Sequence, residues 1–269
     1  HQKMKIPLYK ITNEKIKDID MPSQFSEHIR PDLIKRAVLA LQSHKKASYG
    51  AKKEAGKRAS AELSRRRHDY RGSYGFGISR VPRKVISRRG RRLNWVGAFA
   101  PGTVGGRRAH PPKSEKSVWK DINKKERKKA IRSALAATLD KSLVEERGHL
   151  APKGYPFVIE DKFESLDKTK DVKQALEKLG LKEELSRSSK KNIRAGRGKS
   201  RGRKYVKRKG PLFVVSEECK LIKSAKNIPG IDIIKAAELN AEALAPGTDP
   251  GRLTIFTNRS LDKIKTLFR

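Results

Sequence analysis

Apolar residues recur at helical spacing in two long stretches of the chain. After Pro31, the apolar positions of residues 33–41 fall on one face of an amphipathic helix. Residues 131–139 carry the same pattern, and Asn123 with Glu126 resembles a capping box before it. These stretches predict two helices that each pack one face into a core.

Short apolar runs alternate with helical patterns in the second half of the chain. Together with a partly alternating run near the N-terminus, they predict strands at residues 4–9, 157–159, 212–215, 231–234 and 253–257. Thr169, Ser216 and Ser260 are predicted to cap or begin the intervening helices. Strands that alternate with helices indicate an α/β fold, a parallel-type sheet flanked by helices in three layers.

Two polar stretches interrupt this pattern. Residues 45–120 hold 22 Lys or Arg against four acids, with frequent glycine, and cannot bury enough apolar surface to offset their ordering entropy. Residues 187–209 hold 12 basic residues and no acid. We therefore predict a globular α/β domain at residues 1–46 and 121–269, a long extended basic internal loop at 47–120, and a second basic loop at 187–210.

Charge indicates the class of partner. The 269 residues carry 66 Lys and Arg against 29 Asp and Glu, a net charge of +37, which a polyanion such as nucleic acid would neutralise. The sequence lacks both an apolar run long enough for a transmembrane helix and a signal-peptide core, so we expect no membrane partner. Cys219 is the only cysteine, which excludes an intrachain disulfide and a cysteine-cluster zinc site.

Enzyme motifs are incomplete. Gly198-Lys199-Ser200 resembles the end of a P-loop, but Ile193 stands where that pattern requires glycine. The glycines of residues 50–57 are one position too far apart for the same motif. The six histidines form no close metal-ligand pair, so neither a metal site nor a cofactor is expected. A nuclease would need clustered carboxylates, for which Asp161 and Asp232 are candidates without an obvious partner.

Aromatic residues, arginine and glycine are mixed in the long polar stretch. Arginine forks bind phosphate and stack on bases, aromatic rings stack on unpaired bases, and glycine lets the backbone approach phosphates. This mixture predicts an RNA-binding segment. We expect residues 47–120 to be ordered only in RNA, because the stretch is strongly basic and has no apolar face. A free-standing RNA chaperone or regulatory binder shares these electrostatics and stays open as an alternative.

Several long motifs resemble those of the universal large-subunit ribosomal protein four, or "L-four", family, in its archaeal and eukaryotic style. Residues 98–113, AFAPGTVGGRRAHPPK, resemble the end of that family's long loop. Further similar segments are residues 30–38 (its first long helix), 124–127 with 130–138 (the helix after the loop), and 193–199 with 201–204 (its second basic loop). Residues 61–92 depart from the family pattern.

The resemblance implies a non-catalytic structural constituent of the large ribosomal subunit, in the cytoplasm. It implies binding to large-subunit rRNA, support of subunit assembly, and a loop tip that lines the nascent-polypeptide exit tunnel near its constriction. The implied partners are rRNA, other large-subunit proteins including the tunnel hairpin protein twenty-two, and the nascent polypeptide.

The residues expected to bind rRNA are basic or aromatic side chains of the two loops. In the long loop they are Arg58, Arg65, Arg66, Arg67, Arg71, Arg80, Arg83, Lys84, Arg88, Arg89, Arg91, Arg92, Trp95, Arg107, Arg108, His110 and Lys113. In the second loop they are Arg194, Arg197, Lys199, Arg201, Arg203 and Lys204. The tunnel-facing tip is expected at Tyr70, Arg71, Tyr74, Phe76, Arg80, Arg83 and Arg88. Trp95 and Phe99 are expected to stack or pack in an RNA cleft.

Overall fold

The chain divides into two compact units in a computed structural model that describes residues 4–58, 61, 63–69, 72–90 and 92–268. Residues 1–45 and 120–269 form one of them, called here the α/β unit. Residues 46–119 form the other, called the basic unit. The structure does not confirm the predicted extended course of the long loop.

A six-stranded sheet forms the centre of the α/β unit. The strands of the described chain are β1 (Lys5–Tyr9), β2 (Lys15–Asp20), β3 (Arg83–Arg89), β4 (Arg92–Gly97), β5 (Val158–Ile159), β6 (Lys191–Ile193), β7 (Tyr205–Lys207), β8 (Leu212–Val215), β9 (Asp232–Lys235) and β10 (Thr254–Thr257). The sheet has the order β2-β1-β5-β10-β8-β9, and each neighbouring pair is parallel except β1 with β2. The prediction of a mainly parallel sheet is therefore confirmed.

Helices cover both faces of this sheet. They are α1 (Pro31–His44), α2 (Lys124–Leu139), α3 (Lys141–Glu146), α4 (Thr169–Lys178), α5 (Lys182–Ser189), α6 (Lys220–Ala225), α7 (Ala241–Leu244) and α8 (Asn258–Leu267). Leu212 and Val214 pack in one core with apolar residues of α1, α2, α7 and α8. Phe213 and Val215, which alternate with them along β8, pack in a second core with α4, α5 and α6. Helix, sheet and helix thus form three layers.

The polar residues predicted to cap helices make other contacts. Asn123 precedes α2, but its side chain makes no capping hydrogen bond. The hydroxyl of Thr169 donates to a carbonyl of α6, and that of Ser260 donates one turn back to the residue before α8. Ser216 lies four residues before α6 and contacts Glu164 instead. Tertiary contacts have therefore replaced the predicted caps at Thr169 and Ser216, whereas the hydrogen bond of Ser260 is local.

A buried carboxylate forms hydrogen bonds at the carboxyl ends of two central strands. Glu164 accepts hydrogen bonds from the backbone amide of Ser216 at 2.9 Å, from its hydroxyl at 2.7 Å and from the hydroxyl of Thr257 at 2.6 Å. Ser216 follows β8 directly, and Thr257 ends β10. Open parallel sheets commonly bind ligands at this edge. Here these polar groups satisfy one another.

Candidate nucleic-acid interface

The basic unit contains a β-hairpin that the sequence analysis did not predict. β3 pairs antiparallel with β4, from Arg83 opposite Gly97 to Arg89 opposite Arg92. The apolar residues of β3, Val85 and Ile86, are adjacent in the sequence instead of alternating, and the pairing register shifts between Val85 and Ser87. This bulge hides the two-residue period that normally indicates a strand.

Three of the described arginines lie at the tip of this hairpin. Arg88, Arg89 and Arg92 are exposed beside Gly90, whose φ of 59° is left-handed. Arg89 and Arg92 lie directly opposite each other. Like charges at such a cross-strand pair repel and destabilise the hairpin. An anion bound between the two guanidinium groups would relieve this repulsion.

Arginines also stack on aromatic rings within the basic unit. The guanidinium carbons of Arg67 and Arg80 lie 5.9 and 5.3 Å from the centre of the Tyr74 ring, and that of Arg83 lies 5.6 Å from the Trp95 ring. Arg80 also donates a hydrogen bond to the Tyr74 hydroxyl at 2.9 Å. The structure therefore gathers Tyr74, Arg80 and Arg67 into one cluster of charged and stacking groups.

Most of the side chains predicted to bind rRNA are exposed. The exposed ones are Arg58, Arg65, Arg66, Arg67, Arg80, Lys84, Arg88, Arg89, Arg92, Arg108, His110, Lys113, Arg197, Lys199, Arg201, Arg203 and Lys204. Arg83, Trp95, Arg107 and Arg194 are half-buried. Tyr70, Arg71 and Arg91 lie outside the described residues.

Large apolar side chains are exposed in the same unit. Phe76 is 72% and Ile86 69% accessible to solvent. Phe99, which is half-exposed, packs against Gly56, where a Cβ would lie 2.5 Å from its ring. Each of these exposed apolar side chains would gain free energy if a partner covered it.

The second basic loop forms a short hairpin. β6 and β7 pair antiparallel, and Lys191 Nζ lies 3.8 Å from the centre of the Tyr205 ring. The guanidinium of Arg194 donates to the carbonyl of Arg203 at 2.9 Å, across the hairpin. Residues 198–200 lie in its connection and not between a strand and a helix, as a P-loop would require.

A buried network of charged residues lies at the base of this second hairpin, where its two ends meet the α/β unit. Glu184 is fully buried and accepts hydrogen bonds from Arg187 at 2.6 and 2.7 Å, from His149 Nδ1 at 2.7 Å and from the amide of Leu150 at 2.9 Å. Arg187 also donates to the carbonyl of Lys209 at 2.7 Å. The guanidinium therefore joins the two ends of the basic segment to one carboxylate. No local motif predicted this network, because His149 lies 35 residues from Glu184.

Burial makes this network sensitive to pH. Burial lowers the pKa of His149, although its hydrogen bond to Glu184 opposes the effect. Burial alone would raise the pKa of Glu184, but hydrogen bonds from Arg187, His149 and Leu150 outweigh it and hold that pKa below its usual range. The folded state therefore favours a neutral imidazole beside an ionised carboxylate.

The protein is expected to lose stability as the pH falls below about 6.5, the ordinary pKa of histidine. Below that pH the unfolded chain binds a proton that the folded state resists, so His149 stabilises the fold fully only at higher pH. Urea unfolding between about pH 7.5 and pH 5 measures the decline. His149→Gln, which does not titrate, should show a smaller decline over this interval, and an identical slope in both proteins would contradict the assignment.

The two carboxylates considered for a nuclease site are separate and already engaged. Asp232 accepts hydrogen bonds from the buried Arg252 at 2.6 Å and from Lys209 at 3.0 Å, whereas Asp161 accepts one from the amide of Arg259 at 2.8 Å. Asp232 begins β9 and Asp161 follows β5, so they lie at opposite ends of the parallel strands. Within the described part of the chain, no group of three or more His, Cys, Asp or Glu could hold a metal ion.

Comparison with known families decides between a nuclease and a ribosomal protein. A sequence model described as the ribosomal protein L4/L1 family matches residues 19–267. The chain belongs to the ribosomal protein L4/L1 family. This membership confirms the resemblance and identifies the chain as a structural ribosomal protein and not an enzyme.

Individual members of the L4/L1 family match over nearly their whole length. Large ribosomal subunit protein uL4 of Nanoarchaeum equitans is 50% identical over 263 residues, covering 97% of this chain and 98% of the relative. The uL4 proteins of Methanocaldococcus jannaschii and Archaeoglobus fulgidus are 44% and 42% identical, covering 98% and 96% of this chain and 100% and 97% of the relatives.

Among the described helices, none is long and apolar enough to cross a membrane.

Proposed function

We propose that the chain is a structural component of the large ribosomal subunit in the cytoplasm, where it binds large-subunit rRNA and supports subunit assembly. The observation that carries this proposal is the arginine tip of the β3–β4 hairpin, where Arg89 faces Arg92 without a described acidic partner. A protein surface of like charges is stabilised by the phosphates of an RNA backbone. The uL4 relatives are themselves named as large-subunit proteins.

The basic loop is proposed to carry most of this binding. Residues 47–120 would penetrate the rRNA in an extended course, and their tip would line the nascent-polypeptide exit tunnel near its constriction. The exposed Phe76, with the cluster of Tyr74, Arg80 and Arg67, supports a tip that offers both stacking and charged groups. The tunnel hairpin protein twenty-two and the nascent polypeptide are the proposed neighbours of this tip.

The β6–β7 hairpin is proposed as a second rRNA contact. Arg197, Lys199, Arg201, Arg203 and Lys204 are exposed around its connection and are available to phosphates. Because the guanidinium of Arg194 donates to carbonyls across the hairpin, we assign this residue to holding the hairpin together. The network of Glu184 and Arg187 would then present this hairpin at a fixed base.

Replacing the three tip arginines tests the proposed function. The triple variant Arg88→Ala, Arg89→Ala and Arg92→Ala should weaken binding to large-subunit rRNA. It should also flatten the plot of log affinity against log salt by roughly 2–3 units, because each lost phosphate contact contributes about 0.7–0.9. Filter binding or anisotropy over a range of salt concentrations measures both quantities.

A charge-matched variant separates contact from overall charge. Lys162, Lys170 and Lys226 are exposed in the α/β unit, and changing all three to alanine removes the same charge. This control should change the salt dependence much less than the tip variant. Equal losses in the two variants would show that net charge, and not the hairpin tip, determines binding.

A further inference from the structure

Two segments of the basic unit are held side by side by backbone contacts. They are residues 50–57 and residues 109–115, and the amide of Ala51 donates to the carbonyl of Pro112 at 3.0 Å. Gly50 sits against the backbone of Ser114, so closely that a Cβ there would lie 2.2 Å from its nitrogen. Only glycine permits this approach. The paired segments therefore form a surface whose shape is set within the protein.

A cleft with a volume of about 470 Å³ lies between these segments. Lys52, Lys57, Lys113 and His110 line it together with the residues 111–112, which are both proline. Among the described residues, none of these three lysines forms an ion pair. Lys53 and Glu115 also line the cleft, where their ammonium and carboxylate groups pair with each other at 2.5 Å. The cleft thus combines several available cations with an apolar wall.

The form of this cleft selects its ligand. A concave space of this size lies in the range of pockets for small ligands, whereas the groove surface of an RNA duplex is far larger. Ammonium groups bind phosphate as point charges. The imidazole of His110 offers a flat aromatic face to a base, and the rings of Pro111 and Pro112 offer apolar contact beside it. One nucleotide supplies both parts, whereas a free phosphate ion supplies only the first.

We propose that this cleft binds a single unpaired nucleotide of RNA, with its phosphodiester beside Lys52, Lys57 and Lys113 and its base against His110 and the two prolines. The inference rests on the proposed rRNA-binding function and deepens it, because it names the RNA feature that the segment recognises. Sequence reasoning placed His110 and Lys113 among the RNA contacts but omitted Lys52 and Lys57. The two lysines lie more than 50 positions before His110, so their proximity comes only from the fold.

Two RNA hairpins that differ by one nucleotide test this inference. One contains a single unpaired 2-aminopurine in its stem, and the other is fully paired with the fluorophore in the duplex. The full-length protein should bind the first about tenfold more tightly, within the range that base stacking provides. The 2-aminopurine fluorescence should change on binding only in the RNA with the unpaired nucleotide.

Variants of the cleft should remove this preference in two separable ways. Lys52→Ala with Lys57→Ala should make the two RNAs bind equally and reduce the salt slope for the unpaired RNA by up to about 0.7, the contribution of one phosphate on a single strand. His110→Ala should weaken the fluorescence change without altering the salt slope. Lys46→Ala with Lys226→Ala removes the same charge from exposed positions outside the cleft and should keep the preference.

The outcomes also distinguish this inference from the proposed function. If the unaltered protein binds large-subunit rRNA but treats the two hairpins alike, or if the lysine variant keeps the preference, the cleft inference is wrong and the proposed function stands. If the unaltered protein fails to bind large-subunit rRNA, both are wrong.

Discussion

A chain that lacks residues 60–108, with its ends joined by a short Gly-Ser linker, is expected to leave the large ribosomal subunit at high salt. The deleted segment contains the β3–β4 hairpin, the stacked arginines and 13 Lys or Arg residues. If even half of these contact phosphates, the salt slope falls by several units, at roughly 0.7–0.9 per contact. The cut points keep the paired segments 50–57 and 109–115 in the chain, although the deletion removes Phe99, which packs against Gly56.

Sedimentation with large subunits in cell extract, at physiological and at high salt, measures this result. Thermal unfolding of the purified variant should show that the α/β unit remains folded, because that unit has its own two cores. A comparison variant that shortens only the connection of the β6–β7 hairpin should lose much less binding. If the deletion variant still sediments with subunits at high salt, the α/β unit and the second hairpin are the anchor. The long loop would then serve the tunnel.

Glu184→Leu is expected to lower the free energy of unfolding by about 3–5 kcal/mol, the range for removing one partner of a buried ion pair. The side chain of Glu184 is fully buried. Its loss leaves the guanidinium of Arg187, the imidazole of His149 and the amide of Leu150 without their shared acceptor. Leucine fills the space but satisfies none of these donors. Urea unfolding at neutral pH gives the difference directly.

The neighbouring residue provides the control for this substitution. Glu183 is exposed on the same helix, and Glu183→Leu should change the free energy of unfolding by no more than about 0.5 kcal/mol. Similar losses in the two variants would mean that the network contributes little. Glu184→Gln should fall between them, because an amide retains one acceptor oxygen but carries no charge.

The pattern of apolar residues was sufficient to predict the centre of the α/β unit. The strands at Leu212–Val215 and Thr254–Thr257 are buried on both sides, so their residues form continuous apolar runs that indicate a parallel sheet. β2 was missed because it lies at the edge of the sheet, and its isoleucines, Ile16 and Ile19, are three positions apart. Only Ile19 packs against the core. An edge strand with one buried side chain has no recognisable period.

The chemistry of the interface was partly visible in the sequence. Abundant arginine and lysine predicted exposed cations, and the structure leaves most of them in solvent. Which cations act together depends on chain reversals that composition does not encode. The Tyr74 ring contacts the guanidinium groups of both Arg67, which precedes it in the sequence, and Arg80, which follows it. The proximity of Lys52 to Lys113 likewise depends on the close backbone approach at Gly50, which the sequence alone does not reveal.

Because both ends of the β6–β7 hairpin are fixed at its base, the connection between its strands is a site where residues can be inserted. Arg187 holds the carbonyl of Lys209, and the amide of Gly210 donates to Gly230 at 2.9 Å, so both ends are fixed without help from the connection. Lengthening a flexible connection costs only about 0.6 kcal/mol for each doubling. The β6–β7 hairpin can therefore differ in length between related chains, or carry an inserted peptide tag, while the free energy of unfolding of the α/β unit stays nearly constant. The length of this hairpin and the stability of the core can thus vary independently in this protein.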